Sequence, residues 1–423
     1  MRTRGEAAIG LGVRRTTSLD LTRPLGPDGP IEVNGRARDV RTADAGAMTV
    51  LDKALLSLTV TDGIVTLRAH RESDIAGVVE QSNDPESQRW TTVPVDYTRE
   101  DAIRFVRHNN PGGWLTDAEW AFSIEYAGEY SGTLSLRNLG VGRAELAYGS
   151  HPRIRGTGGM ERACRLLLNW GFEQQGVRHV HWTAYRGNFA SRKLAWKLGF
   201  DILPGHLRQS LVQRGQLVDA WVGSLLHTDG RRPGTPWYDA PVFETERIRL
   251  RPVLETDLPA ALEALSDGEV ARWIGSIPHP FKPEHFLEWQ LHGAEEMAQG
   301  QAVRWAITDI DSDQLIGVIN IFEIDRATAS GEVGYWIHPG RSGQGLMSQA
   351  LGLVIDHGTG DSLGLSRLMA HVAHGNTASN NLLQRHGFTQ VGSLSHAVVT
   401  GTGRRDAAIF ELTDSHSLDL HVT

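Results

Sequence analysis

The sequence predicts a mixed α/β protein made of two copies of one domain. Three observations support this prediction: the length of 423 residues, an internal repeat that stays collinear, and strand-like and helix-like segments that follow the same order in both copies. A chain of this length is long for a single domain, so two domains with separate cores are expected.

The repeat runs through most of the chain at a nearly constant spacing. Arg68 pairs with Arg251 at an offset of 183, and Trp120 pairs with Trp305 at an offset of 185. Two copies of one domain with small loop insertions explain this slow drift, whereas chance similarity would not stay collinear. The same alignment pairs Asp74 with Asp257, Glu145 with Glu332, Tyr148 with Tyr335, Asp219 with Asp406, and "GNFASRKLAWKLGF" with "GNTASNNLLQRHGF".

Each copy is predicted to open with a strand and to continue with helical stretches such as "DIAGVVEQ" or "DLPAALEALSD". A hairpin follows, with the polar turns "AGEYSG" and "DSDQLIG" between alternating strands. The fourth strand, "RAELAYGS" or "GEVGYWI", leads into a glycine cluster and then into an apolar helix. A further strand, a short helix after an asparagine and a closing hairpin complete the predicted domain.

The domain limits follow from the repeat and from local composition. We expect domains at residues 62–228 and 244–415, joined by a linker at 229–243 that is rich in turn-forming residues. Residues 1–60 have no counterpart in the second copy and little periodicity, so a loose extension is expected. Met48 is either an alternative start or the beginning of an extra strand.

The composition excludes several function classes. The hydrophobic fraction of 40% and charged fraction of 22% are ordinary for a globular protein, and the apolar runs are too short to cross a bilayer. The net charge of −8 does not favour nucleic acid as a partner. The single cysteine, Cys164, fits a reducing cytoplasm and is expected to be an inert core thiol.

Two glycine clusters, "HPRIRGTGGM" at 151–160 and "HPGRSGQGLM" at 338–347, lie between a predicted strand and a predicted helix. The first N–H groups of a helix are unpaired and carry positive charge, so such a loop offers an anion site. The residues Arg153, Arg155 and Arg341 add positive charge there, which favours a pyrophosphate ligand. Neither cluster has the Gly-Lys-Ser/Thr of a P-loop or the position of a Rossmann fingerprint. A purely structural turn is the alternative.

The cluster Arg153-Ile-Arg-Gly156-Thr-Gly158 resembles the Arg/Gln-x-x-Gly-x-Gly/Ala signature of the GNAT family of acetyl-CoA-dependent N-acetyltransferases. The segments that begin with Asn188-x-x-Ser191 and end in Gly199-Phe200, and that begin with Asn376-x-x-Ser379 and end in Gly387-Phe388, resemble the second conserved block of this family. The pattern of the strand "GEVGYWIHP" resembles the one found in the subgroup that acetylates the N termini of ribosomal proteins. The resemblance covers about residues 62–228 and 244–415, which is nearly all of the chain except the N-terminal extension.

This resemblance implies two tandem acyl-CoA N-acyltransferase domains, each a mixed, mostly antiparallel sheet with flanking helices. Acetyl-CoA or another acyl-CoA would be the co-substrate, with its pyrophosphate on the backbone N–H groups of the two clusters. The cofactor-binding residues assigned in this way are Arg153, Arg155, Gly156, Thr157, Gly158, Gly159 and Met160 in the first copy, and Arg341, Ser342, Gly343, Gln344, Gly345, Leu346 and Met347 in the second. The second copy departs from the signature at Gly340.

The second block adds four further residues to the predicted cofactor site. By resemblance, Asn188 and Ser191, together with Asn376 and Ser379, contact the pantetheine arm or the adenosine phosphates. The alternative for each asparagine is an ordinary helix N-cap, for which asparagine is a favoured residue. Both roles are compatible with each other.

The chemistry of the family is direct attack of an amine on the thioester, which requires a proton acceptor. We expect Glu145 and Glu332, each in the fourth strand shortly before the glycine cluster, to be the catalytic bases; a structural or substrate-orienting role is the equal alternative. The tyrosine that many relatives use as general acid is replaced here by Ala195 and Leu383. Four tryptophans, Trp90, Trp114, Trp273 and Trp289, lie in segments expected to line the acceptor cleft or to pack in the core.

These observations predict an N-acetyltransferase that acts on a primary amine, such as a peptide or protein N terminus, an amino sugar or a small amine metabolite. No metal is expected, and neither is a nucleic-acid or membrane partner. Two alternatives stay open: a protein in which only one half is catalytic and the other structural, and a CoA-binding sensor or scaffold without turnover.

Overall fold

The computed structural model of the chain describes residues 58–266 and 268–413. Nearly all of the predicted extension, with Met48, and the last residues of the chain lie outside these described ranges. Within them, the longest helices have sixteen residues, and none is long and apolar enough to span a membrane.

The N-terminal half contains one sheet and six α-helices within the described residues. A π-helical turn, Phe105–Asn109, joins the third and fourth helices. The strands are β1 (Thr59–Thr61), β2 (Val65–Arg68), β3 (Glu119–Tyr126), β4 (Glu129–Gly140), β5 (Arg143–Ser150), β6 (His179–Tyr185), β7 (Asp201–Ile202), β8 (Leu207–Gln213) and β9 (Gln216–Leu226). The helices are α1 (Ile75–Asn83), α2 (Pro85–Trp90), α3 (Arg99–Arg104), α4 (Asn110–Leu115), α5 (Gly159–Gln174) and α6 (Phe189–Lys197).

The C-terminal half repeats this order with fewer helices in its described part. Its strands are β10 (Phe243–Glu244), β11 (Ile248–Arg251), β12 (Val303–Asp309), β13 (Leu315–Asp325), β14 (Ser330–Ile337), β15 (Arg367–Ala373), β16 (Thr389–Thr400) and β17 (Gly403–Thr413). Its helices are α7 (Leu258–Leu265), α8 (Pro283–Ala298), α9 (Leu346–Thr359) and α10 (Thr377–Arg385).

The two sheets have the same topology through their first six strands. The order is β1-β2-β3-β4-β5-β6-β9-β7, with β8 also paired to β9, in the first sheet and β10-β11-β12-β13-β14-β15-β17-β16 in the second. One strand pair in each sheet is parallel, β5 with β6 and β14 with β15, and the other pairs are antiparallel. The predicted fold class, two mixed and mostly antiparallel sheets with flanking helices, is confirmed.

The sheets begin slightly earlier than the repeat predicts. The strand β1 precedes the predicted domain start at residue 62, and β10 includes Phe243, the last residue of the predicted linker. Residues of that linker also contact both halves: the Thr235 carbonyl accepts from the Trp196 indole at 2.7 Å, and the Tyr238 N–H donates to the Met297 carbonyl at 2.9 Å. The linker is therefore packed against the domains that it joins.

A buried ion pair explains why an arginine and an aspartate recur at the start of each copy. The Arg68 guanidinium contacts both carboxylate oxygens of Asp74, at 2.7 and 2.9 Å, and Arg251 contacts Asp257 in the same way. The Asp74 carboxylate also accepts from the Arg71 N–H, so the pair fixes the turn between the first long strand and the first helix of its half.

The long helix after each glycine cluster packs its apolar face into the core of its half. Helix α5 buries Ala163, Leu167 and Leu168 against the first sheet, and α9 buries Ala350, Leu351 and Val354 against the second. The single cysteine, Cys164, lies in the first of these cores with no exposed surface, and burial raises the pKa of its thiol. Those conditions favour an inert thiol, as predicted.

Candidate functional site

In each half, the two parallel strands separate part of the way along their length. Strand β5 pairs with β6 only from Arg143 to Glu145, and β14 pairs with β15 only from Ser330 to Glu332. Beyond these positions the strands diverge, which leaves a wedge-shaped gap in each sheet. The candidate bases Glu145 and Glu332 are each the last paired residue before the gap.

The glycine clusters follow these diverging strands and lead directly into the long helices. Gly158 and Gly345 are the N-caps of α5 and α9, with φ angles of +79° and +78°. Gly156 and Gly343 also have positive φ angles, and a Cβ atom added at any of the four would meet nothing within 4 Å. Glycine is needed because L-residues adopt this conformation with strain, and its hydrogen leaves the helix mouth open.

The backbone N–H groups of the loops divide into those already bonded and those available to a ligand. In the first loop, the N–H groups of Arg155, Thr157 and Gly159 donate within the loop. In the second, that of Ser342 does so. The remaining predicted N–H groups have no acceptor within the described part of the chain: Gly156, Gly158 and Met160 in the first loop, and Gly343, Gln344, Gly345, Leu346 and Met347 in the second.

Gly159 differs from its neighbours in this loop. It is buried, and a Cβ atom there would lie 2.7 Å from the Ile154 side chain, so packing alone requires glycine. The corresponding residue in the second half is Leu346, which is buried in the core next to Met347. These residues can therefore reach a ligand only through their backbone.

The arginines of the loops are ion-paired. The Arg155 guanidinium lies 2.5 Å from an Asp84 carboxylate oxygen, and Arg153 contacts the Glu129 carboxylate. Arg341 lies 3.6 Å from the Asp309 carboxylate and is more exposed than Arg155. The side chain of Arg155 thus ties the loop to helix α2, whose N-cap is Asp84, while Arg341 has a weaker partner.

The predicted asparagines are helix N-caps in this structure. The Asn188 side chain accepts from the Ser191 N–H at 3.1 Å, and the Asn376 side chain accepts from the Ser379 N–H at 3.2 Å. These caps fix the first turns of α6 and α10 beside the gap. The capping role is thus present in both halves, and contact with a cofactor remains a prediction.

A hydroxyl pair links the two sides of each gap. The Tyr148 hydroxyl lies 2.7 Å from the Ser191 hydroxyl, and the Tyr335 hydroxyl lies 2.7 Å from the Ser379 hydroxyl. Burial raises the pKa of Tyr335 to about 12, so this phenol stays protonated at neutral pH. Burial also raises the pKa of Tyr148. The recurrence of both residues in the repeat is the sequence signal for this pair.

The two candidate bases have different partners. An oxygen of the Glu332 carboxylate lies 2.9 Å from Nδ1 of His371, and burial raises the pKa of Glu332 even though His371 opposes the shift. The Glu145 carboxylate instead lies 3.3 Å from the Arg137 guanidinium and accepts from Thr183 at 3.3 Å. A raised carboxylate pKa suits a general base, whereas Glu145 would have to give up an ion pair to accept a proton.

Two of the four tryptophans lie beside the gap, and two lie in the cores. A Cβ atom on Gly187 would be 3.4 Å from the Trp90 ring, and one on Gly375 would be 4.0 Å from the Trp273 ring. The rings of Trp114 and Trp289 pack against core clusters instead. Trp90 and Trp273 therefore adjoin the turns that precede the capping asparagines.

The closing hairpin of each sheet contacts the segment that carries the tryptophan beside the gap, Trp90 or Trp273. The Gln213 amide donates to the Arg89 carbonyl at 2.6 Å, and the Gly275 N–H donates to the Val399 carbonyl at 3.0 Å. A bulge shapes both hairpins: the carboxylates of Asp219 and Asp406 accept from backbone N–H groups at positive-φ residues of β8 and β16. This explains why these aspartates recur in the repeat.

The arrangement fits an extended ligand with an anionic part at the helix mouth and a reacting end near the apex of the gap. Among the described residues, no group of three or more histidine, cysteine, aspartate or glutamate side chains could hold a metal ion. The site of each half contains a carboxylate at the apex of the gap, a hydroxyl pair across the gap and free N–H groups at the helix start.

Comparison with known proteins gives a consistent result. The sequence model of the acetyltransferase (GNAT) domain matches the chain twice, at residues 65–201 and 247–389. The chain is 32% identical over 154 residues to the uncharacterized N-acetyltransferase YoaA of Bacillus subtilis (strain 168), a match that covers 36% of this chain and 86% of that protein.

Two further matches involve proteins whose names include a ribosomal protein. The chain is 38% identical over 85 residues to the ribosomal-protein-serine acetyltransferase of Escherichia coli (strain K12), covering 20% of this chain and 47% of that one. A solved structure of ribosomal-protein-S5-alanine acetyltransferase from Vibrio fischeri is 23% identical, with a TM-score of 0.39, and covers 41% of this chain and 97% of that one.

Proposed function

The chain belongs to the acetyltransferase (GNAT) family, with one such domain in each half, and from this premise we propose that it acetylates the amino terminus of a peptide or protein. The observation that carries the proposal is the repeated gap between diverging strands, with a carboxylate at its apex and an open glycine loop at its mouth. The ribosomal-protein acetyltransferases among its relatives support a peptide acceptor.

The loop residues fit the pyrophosphate of acetyl-CoA. Free N–H groups at the start of a helix bind phosphate, and four open glycine positions leave room for it. The residues that would hold it are Gly156, Gly158 and Met160 in the first half, and Gly343 to Met347 in the second. When bound, acetyl-CoA supplies the thioester that donates the acetyl group.

The C-terminal half has the better set of groups for the transfer. Glu332 accepts the proton that the acceptor amine loses as its nitrogen forms a bond to the acetyl carbon. The Ser379 hydroxyl, paired with that of Tyr335, would donate a hydrogen bond to the sulfur, which leaves as a thiolate when the carbon–sulfur bond breaks. Backbone N–H groups of β14 that face the gap stabilise the negative charge that develops on the carbonyl oxygen.

The N-terminal half has the same hydroxyl pair but a different carboxylate environment. Because Arg137 and Thr183 hold Glu145, we propose that this half turns over more slowly than the C-terminal half. This difference favours, as a second candidate, a protein in which only the C-terminal half is catalytic. In that case the N-terminal half would still bind acetyl-CoA through its own glycine loop.

An acceptor panel tests the proposal. The full chain is incubated with acetyl-CoA, and thiol release is measured with peptides that have a free N terminus, the same peptides with a blocked N terminus, an amino sugar and a polyamine. We expect release only with free-N-terminal peptides and a single acetyl group on the α-amino nitrogen by mass spectrometry. Thiol release with only the amino sugar or only the polyamine would show that the acceptor is that class of amine and not a peptide. Binding of acetyl-CoA without thiol release from any acceptor would favour a sensor.

A further inference from the structure

A buried carboxylate of the C-terminal half contacts the N-terminal half beside its proposed cofactor site. Glu295 of α8 is 3% exposed and forms two hydrogen bonds to the Arg186 guanidinium, at 2.9 and 2.8 Å. The same carboxylate accepts from the Trp221 indole at 2.7 Å. Glu288, which is exposed and lies about two turns earlier on the same face of the helix, contacts the outer side of Arg186 at 2.8 and 3.0 Å. Arg186 is thus held by two carboxylates of one helix.

Arg186 begins the turn that leads to the N-cap of α6. Its N–H donates to the Asp219 carbonyl at 2.9 Å, and the Asn188 N–H donates to the Tyr185 carbonyl at 3.0 Å. Gly187 between them has a φ of +99° and adjoins the Trp90 ring. The position of Asn188, and with it that of Ser191, therefore depends on where Arg186 is anchored.

A second arginine connects α6 to the same carboxylate. Arg192 is 2% exposed, and its guanidinium stacks on the Trp221 ring at 4.6 Å. Its Nε and Nη1 have no hydrogen-bond partner within the described part of the chain. An unpaired buried cation is unfavourable, and the nearby negative charge of Glu295 offsets part of that penalty. Removing the charge of Glu295 would thus affect both ends of the first turn of α6.

The C-terminal half lacks all three N-terminal members of this cluster. The repeat places His374 at the position of Arg186, Asn380 at that of Arg192 and Ala408 at that of Trp221. The contact is therefore not duplicated: only the N-terminal copy has the arginines and the tryptophan that contact the carboxylates of the other copy. A general requirement of the domain fold would be expected in both copies.

The geometry points to Arg186 as a positioning residue for the acetyl-CoA site of the N-terminal half, anchored in trans by Glu288 and Glu295 of the C-terminal half. This inference rests on the proposed function, because it assumes that the N-terminal loop binds acetyl-CoA. It assigns to the C-terminal half a second task besides its own catalysis, which is to hold the first turn of α6 in the conformation that the cofactor needs.

Calorimetry on the full chain tests this inference. Acetyl-CoA is titrated into the wild type and into Arg186→Ala, Arg186→Lys and Glu295→Gln, with the two sites assigned by Gly158→Leu and Gly345→Leu. We expect the Kd of the N-terminal site to rise about tenfold in Arg186→Ala and Glu295→Gln, with partial recovery in Arg186→Lys. The Kd of the C-terminal site stays unchanged in all three variants. The control is Glu284→Gln, a substitution of an exposed residue on the same helix, in which the Kd values of both sites stay unchanged.

Hydrogen exchange adds a readout that separates positioning from general stability. We expect faster exchange of amides 187–192 in Glu295→Gln, with no change at the equivalent amides 375–380 of the other half. The inference is overturned if the N-terminal Kd stays at the wild-type value, even when the variants melt earlier. If Arg186→Ala does not fold, Glu295→Gln and Arg186→Lys decide. A wild type that binds no acetyl-CoA overturns the proposed function and this inference together.

Discussion

The carboxylate of Glu332 lies 2.9 Å from Nδ1 of His371, which follows two residues after Met369, the residue paired with Glu332 in the neighbouring parallel strand. The backbone N–H of His371 also donates a hydrogen bond to this carboxylate, at 3.4 Å. Burial raises the pKa of Glu332, and the imidazole acts in the opposite direction. The residue is thus a buried carboxylate whose basicity is adjusted by a neighbouring ring, which suits proton transfer near neutral pH.

Substitution of Glu332 by glutamine is expected to lower the turnover of the C-terminal half by about 10²- to 10⁴-fold, the range for loss of a general base. The variant is made in a Gly158→Leu background, so that only the C-terminal site binds acetyl-CoA. Turnover is measured by thiol release, and the Kd for acetyl-CoA is measured separately. A loss of cofactor binding with normal turnover at saturation would assign Glu332 a structural role instead.

Substitution of His371 by alanine is expected to move the acid limb of the pH–rate profile upward. The ring lowers the pKa of Glu332, so its removal raises that pKa further, and the carboxylate becomes ionised only at higher pH. The measurement is kcat/KM for the acceptor peptide across the acid limb. An acid limb that stays in place or moves to lower pH would contradict the proposed coupling between the two residues.

Leucine at Gly158 or Gly345 is expected to abolish acetyl-CoA binding in its own half only. The added side chain projects into open space at the helix mouth, and the positive φ angle adds strain of about 1–2 kcal/mol. Calorimetry should show two sites in the wild type and one in each variant. The control is Gly140→Leu at the end of β4, a position with a similar φ of +74° and similar open space. If Gly140→Leu also loses an acetyl-CoA site, backbone strain and not the blocked helix mouth explains the loss of binding.

Alanine at Ser379 is expected to reduce kcat by about ten- to a hundredfold with a smaller effect on the Kd for acetyl-CoA, because it removes a hydrogen bond to the negatively charged leaving sulfur. Phenylalanine at Tyr335 should give a smaller reduction, since it removes only the partner of that hydroxyl. The matched variant Ser191→Ala should change only the N-terminal half. A rise in Kd without a change in kcat would limit Ser379 to cofactor binding.

The repeat in the sequence was sufficient to predict two domains, the strand order up to the glycine loops and the location of both loops, because these depend on local patterns that occur twice. The partners of the two glutamates were not predictable, since the register of the parallel strand pair decides which side chain of β15 reaches the Glu332 carboxylate. The contact of Glu295 with Arg186 joins residues more than a hundred positions apart in different copies. Neither periodicity nor a family motif contains that information.

Asparagine at Asp74 is expected to lower the free energy of unfolding by about 3 kcal/mol at neutral pH, because it removes one of the two carboxylates that neutralise the buried Arg68 guanidinium. The other carboxylate, that of Glu125, remains 2.6 Å from Nε of Arg68 and keeps the loss at the lower end of the range for a broken buried ion pair. Burial alone would raise the pKa of Asp74, but the hydrogen bonds from Arg68 and Arg71 outweigh it and leave the pKa lowered. A lowered folded-state pKa contributes stability above the ordinary value of 3.8, and this contribution is lost as pH falls through the folded-state value. The difference between wild type and variant, measured by urea unfolding, should therefore be constant near neutral pH and shrink below 3.8. Glu72→Gln removes an exposed ion pair with Arg107 and should change the free energy of unfolding little. If Glu72→Gln destabilises the protein as much as Asp74→Asn, burial does not explain the effect at Asp74.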